Sequence, residues 1–142
     1  MQPIKDISQL LLGIFLLSAG TSHLGSNRLE FQAQVPTYLP FDPDFVVIAS
    51  GVVEIILGLL LILTVFILKK HRSVIGIITA IFFILIFPGN INQYVNQIDA
   101  FGLDTDQKRL IRLFFQPPLV ILTIWVSSSW SLAKQVINSL KR

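Results

Sequence analysis

Residues 50–63 read SGVVEIILGLLLIL, a run of branched aliphatics with one carboxylate, Glu54, in its middle. Extended on both sides, the apolar block covers about residues 45–68, enough for a helix to cross a ~30 Å hydrocarbon core. Three further blocks lie at about 7–24, 74–94 and 110–133. They are continuous, whereas strands of a membrane barrel alternate apolar with polar residues. The expected fold is therefore all-α, a single four-transmembrane-helix bundle over residues 1–142 with helices at about 4–24, 45–68, 73–94 and 105–133. The first helix is expected to be retained instead of cleaved as a secretory leader, because Lys5 is offset by Asp6 and the apolar run passes Ala19.

Composition agrees. Of 142 residues, 53% are hydrophobic and 13% charged, and the mean hydropathy is +0.72. A soluble domain of this size could not cover itself with so little polar surface. The absence of cysteine excludes a thiol-disulfide enzyme, an iron–sulfur centre and a thiolate zinc site. The basic residues behind the pI of 9.5 sit at block ends, so the lipid bilayer, not nucleic acid, is the expected partner.

Four spans place Lys5, Lys69, Lys70, Arg72, Lys134, Lys141 and Arg142 on one side. Arg28, Lys108, Arg109 and Arg112 fall on the other, among Glu30, Asp42, Asp44, Asp99, Asp104 and Asp106. The positive-inside rule then makes both termini cytoplasmic. Asp42-Pro43-Asp44 is expected to cap and start helix 2, and Asp104 with Gln107 to form a capping box for helix 4. Residues 69–72 form a tight turn, making helices 2 and 3 antiparallel neighbours. Residues 25–44 combine apolar side chains with Pro36 and Pro40, and are expected to lie in the outer interface between helices 1 and 2.

The scarce polar residues point to a site. Glu54 lies about 12 Å below the outer boundary, where a lipid-facing charge costs at least ~2.5 kcal/mol. Ser50, Glu54 and Gly58 share a helix face of small and polar residues. From Arg72, residues 74–87 cover only about 21 Å, which leaves Pro88 and Gly89 in the outer leaflet as an expected helix break, with Asn90 at the same level. Pro117 and Pro118 are expected to bend helix 4 just after Arg112 and Gln116. Helix 1 ends in Gly20, Thr21 and His23. One buried outer pocket is expected, comprising Glu54, His23, Asn90, Arg112 and Gln116, with largely apolar inner halves.

In that pocket Glu54 is either balanced by Arg112 or by a protonated His23, or kept neutral by its burial. Simpler readings stand beside each residue. Glu54 can be an interhelical hydrogen-bonding group, His23 an interfacial one, and Arg112 can snorkel to headgroups. Asn90 and Gln116 can satisfy freed backbone, and Gly76-x-x-x-Ala80 reads as internal packing. No metal constellation is evident, and two histidines on opposite sides cannot share a haem.

Taken in order, Gly20-x-x-His23, Phe31-x3-Val35-Pro36-x3-Pro40, Ser50-Gly51-x2-Glu54-x3-Gly58, Phe87-Pro88-x-Asn90-Ile91 and Arg112-x3-Gln116 with Trp125 resemble the DoxX family of small membrane proteins over about residues 10–126. Leu24, where Phe is usual, and Gly89, where Ala is usual, depart from the pattern. The resemblance implies a four-span bundle in a bacterial cytoplasmic membrane and, through the family's association with a thiosulfate:quinone oxidoreductase, a redox link with quinone as the cofactor to consider. The leading expectation is a non-catalytic accessory or binding subunit for a quinone or lipid-like amphipathic molecule. A component of a membrane oxidoreductase with a redox partner protein, and a proton-coupled transporter, are the alternatives.

Overall fold

A computed structural model describes residues 2–141, and among them no strand occurs. Four helices are long and apolar enough to cross a membrane: α1 (Gln2–Leu24), α3 (Pro43–Phe66), α4 (Arg72–Val95) and α5 (Asp106–Val126). Short α2 (Arg28–Gln32) joins α1 to α3, a 3₁₀ turn at Lys69–His71 joins α3 to α4, and α6 (Trp130–Leu140) follows α5. Their outward faces stay apolar. Leu11, Phe15, Ile56, Leu85, Phe114 and Ile121 are all exposed, a coat that suits lipid far better than water.

The helices assemble as two pairs. On α1 and α3 the buried positions recur at roughly 3.5-residue spacing: Gln9, Gly13, Leu16, Gly20 and His23 on one, Val47, Gly51, Glu54, Gly58 and Leu61 on the other. The carboxylate of SGVVEIILGLLLIL lies on this buried stripe, Glu54 being 4% exposed. Glycines set the spacing. A Cβ on Gly20 would sit 2.6 Å from the Gly51 carbonyl oxygen, and one on Gly58 would sit 2.7 Å from that of Gly13. The two backbones therefore touch directly. In the second pair α4 packs on α5, and Leu12, Leu16, Leu57, Leu61, Phe83 and Val126 form the core between the pairs.

Three local expectations need correction. Helix 4 does not run unbroken through 105–133. It ends at Val126, and Ser128 takes a left-handed φ of 57° before α6 begins. Ser127 and Ser129 share a hydrogen bond of 2.6 Å, and Ser129 donates to the Ser73 carbonyl. Both hydroxyls press on Gly76, where no side chain would fit. The start of α5 is capped by Thr105, which accepts from the Lys108 amide, and not by Asp104. Asp104 pairs with Lys108 instead, and that hydrogen bond holds its carboxyl below the usual range. Finally, Pro88 and Gly89 do not break α4, because the helix continues through them; α5 likewise continues through Pro117 and Pro118, so any effect of theirs is short of a break. Asp42 does cap α3, accepting from the amides of Asp44 and Phe45.

At the short-turn end, Arg72 donates to the Val126 carbonyl and pairs with Asp6, placing a cation where α5 exposes its last acceptors. The opposite end is covered by two loops. Asp44, on the first turn of α3, pairs with Arg28 and accepts from Gln32 at 2.6 Å, which pins α2 down. The bond to Asp44 also raises the Arg28 pKa further.

Candidate functional site

Between the helix pairs, beneath the looped end, lies a cavity of about 700 Å³. Its walls include Glu54, His23, Asn90, Arg112 and Gln116, so side chains from four different helices meet around one space. The volume falls in the ~300–1,000 Å³ range of small-molecule sites. Phe15 of α1 and Phe115 of α5 also line it while remaining exposed outside, which marks a lateral opening between these helices.

His23 and Glu54 form the α1–α3 wall. The Ser50 hydroxyl donates to the Val47 carbonyl at 2.9 Å, so its oxygen is left to accept from His23 Nδ1 at 3.0 Å. That fixes the tautomer and turns Nε2 towards Glu54 Oε2 at 3.6 Å. The separation permits ion pairing but exceeds a formed hydrogen bond. Glu54 Oε2 has no hydrogen-bond partner, although it is buried. Such an atom is costly unless a proton or a ligand donor reaches it.

The α4–α5 wall is built differently. Pro88 cannot donate to the Ile84 carbonyl, and one residue earlier α5 braces this turn: Gln116 Nε2 donates to the Phe83 carbonyl at 2.9 Å. Asn90 in turn donates to Gln116 Oε1 at 2.9 Å. These two amides therefore hold the helices together and present their remaining groups to the cavity. Arg112 does not pair with Glu54. Its guanidinium lies 4.7 Å from the centre of the Phe101 ring and only 3.5 Å from Gln34 Oε1, and it has no carboxylate partner among the described residues.

The segment 25–44, expected to roof the pocket, does so with Phe31 and Gln34, but the share taken by Phe101 was not foreseen from the sequence. Phe31 stacks on His23 with ring centroids 3.5 Å apart and meets Phe101 edge-on at 4.6 Å. Phe101 has a φ of 56°, a conformation that costs a bulky residue about 1–3 kcal/mol. The Glu30 carboxylate accepts from its amide and holds it there. Gln34 reaches in to donate to Gln93 Oε1 at 2.6 Å, and Gln93 donates to the Ile98 and Ala100 carbonyls, tying the two loops together. Phe101 and Gln34 lie in loops without periodicity, so nothing in their spacing announced them.

Polar groups are not confined to this half. Gln9 is fully buried near the other end, donating to the Leu61 carbonyl and Thr64 Oγ1, each at 2.8 Å. The expectation of an apolar inner half is corrected accordingly. Thr64, Thr79 and Thr123 nonetheless satisfy themselves on carbonyls of their own helices.

Among the described residues no group of three or more metal-ligating side chains occurs. No curated protein and no solved structure matches the chain. A family model, described as a domain of unknown function (DUF8561), matches residues 12–127. That span takes in all five cavity residues and most of the four long helices, and the chain belongs to this family.

Proposed function

We propose that this chain is an integral membrane binding protein, without catalytic activity of its own, that holds a small amphipathic molecule in the cavity beneath its looped end. The single observation that carries this reading is the cavity's composition. Polar groups from α1, α3, α4 and α5 surround one space that also opens sideways between apolar helices. A merely structural polar cluster would close on itself, whereas Glu54 Oε2 and most of the Arg112 donors remain unused.

On this reading the looped end faces outwards and both termini are cytoplasmic, since Lys69, Lys70, Lys134 and Lys141 gather at the other end. The resemblance of the motifs to the DoxX pattern supports an accessory role beside a redox enzyme, with a quinone among the ligands to be tested. The decisive experiment is a mass-spectrometric inventory of small molecules that travel with the detergent-purified protein. Wild type should carry a defined amphiphile beyond bulk phospholipid. Glu54→Gln should lower its occupancy by about tenfold, the effect of losing ~1.4 kcal/mol of binding. Identical inventories with only bulk phospholipid in both would defeat the proposal.

A further inference from the structure

The cavity has a charge imbalance. Its lining contains one carboxylate, Glu54, and three basic side chains, His23, Lys108 and Arg112. Lys108 is already paired with Asp104 at 2.6 Å. Glu54 faces His23 across 3.6 Å, and a single proton on either of them makes that pair neutral overall. Arg112 is then the one lining cation without an anion, half-buried against Phe101, with donors pointing to no other carboxylate among the described residues. A half-buried guanidinium of this kind favours an anionic acceptor.

The cavity also continues. Phe115 and Leu119, which line it, are shared with an apolar groove on α5 formed by Phe115, Pro118, Leu119, Ile121, Leu122 and Trp125. From Phe115 to Trp125 the helix rises about 15 Å, half the thickness of a hydrocarbon core. No polar side chain interrupts that path. A cavity of about 700 Å³ joined to a single apolar groove offers a head one path for a chain.

We propose that the ligand is a single-chain amphiphile with an anionic oxygen-bearing head, such as a long-chain carboxylate. Its head sits on Arg112, and its chain leaves between α1 and α5 to lie along the groove towards Trp125. The proposal rests on the binding reading above and specifies the ligand's charge, chain number and route of entry. A long-chain carboxylate from the membrane and a short one from water share the same head chemistry, so the test must separate them.

The full-length protein in phosphatidylcholine nanodiscs is titrated with radiolabelled palmitate, with hexadecanol as its neutral counterpart, and with butyrate as competitor. Empty nanodiscs provide the partition baseline. Saturable palmitate binding is expected, about tenfold tighter than hexadecanol, with no competition from butyrate. Arg112→Gln should weaken palmitate by a similar factor, while Arg112→Lys retains most of it and Lys70→Gln, at the far end, changes nothing. Leu119→Trp, which fills the groove, should weaken palmitate and hexadecanol together. Equal binding of palmitate and hexadecanol by wild type, a comparison that needs no variant, would overturn the anionic head and leave the binding reading standing. Effective competition by butyrate would overturn the chain and its route. Saturable binding of neither amphiphile, with none co-purifying, would overturn both.

Discussion

A few side chains carry consequences out of proportion to their size. Gln116 is 6% exposed and spends its amide on the Phe83 carbonyl. Gln116→Leu leaves that carbonyl and Asn90 Nδ2 without this partner, and should destabilise the protein by about 1–3 kcal/mol, seen as a lower melting temperature in detergent. Asn90→Ala removes only the outer link and should cost less. Equal losses would show that the Phe83 bond is not the brace described. Phe101 is held in the left-handed region by Glu30 and by its packing on Phe31. Glu30→Gln weakens the acceptor that fixes this backbone, so proteolysis or hydrogen exchange around residues 97–103 should accelerate while the long helices stay protected. Unchanged exchange there would show that Glu30 does not hold the loop. Burial of Glu54 was legible because a lone acid in an apolar run has few affordable places to go. Its partner was not, since Arg112 and His23 both lay within reach and only the Ser50 hydroxyl, by fixing the imidazole, decides between them.

For the elements, close backbone approach separates the two helix pairs. Gly13 faces Gly58 and Gly20 faces Gly51, so the antiparallel register of α1 on α3 is set by glycines seven residues apart on each helix. Gly20→Val should force the seam open and cost about 1–3 kcal/mol, with His23 and Glu54 displaced. Gly102→Ala, where nothing lies within 4 Å, introduces no clash and tests only the strain of a φ of 68°. If Gly20→Val melts with wild type, the backbone contact is not what holds this pair. Helix lengths and the α3 cap could be read from the sequence because continuous apolarity and Asp42-Pro43 act locally. The end of α5 could not. Its break depends on Gly76 of a distant helix accepting Ser127 and Ser129, and apolar periodicity alone would have carried the helix onwards. Beyond the break, α6 places Trp130, Ala133, Ile137 and Leu140 on one side and Lys134, Asn138 and Lys141 on another, the pattern of a helix lying flat at a membrane surface.

The whole molecule joins a tightly seamed pair, α1 with α3, to a braced pair, α4 with α5, with the cavity between them beneath the looped end. The arrangement follows from where small and large residues fall. Glycines let α1 and α3 close completely, while Leu12, Leu57, Leu61 and Val126 pack between the pairs away from the cavity, and Leu16 and Phe83 of the same core line it. On the proposed reading, charge sets the orientation of this body in a membrane. Six of the ten Lys and Arg among the described residues belong to the end bearing the 3₁₀ turn and α6, and the basic excess of short loops is what holds a segment on the cytoplasmic side. The chain contains no cysteine, so a single introduced thiol reports its own side without background. Ser26→Cys and Asn96→Cys lie on exposed positions at the looped end, Lys70→Cys and Ser139→Cys on exposed positions at the other. A membrane-impermeant maleimide added to intact cells should label the first two at once and the second two only after permeabilisation. The inverse pattern would reverse the orientation and turn the cavity towards the cytoplasm, keeping the bundle. Labelling of Ser26→Cys together with Ser139→Cys in intact cells would put both on one side, which the three crossings of α3, α4 and α5 between them do not allow, and would overturn the four-span bundle on which the proposed ligand's route depends.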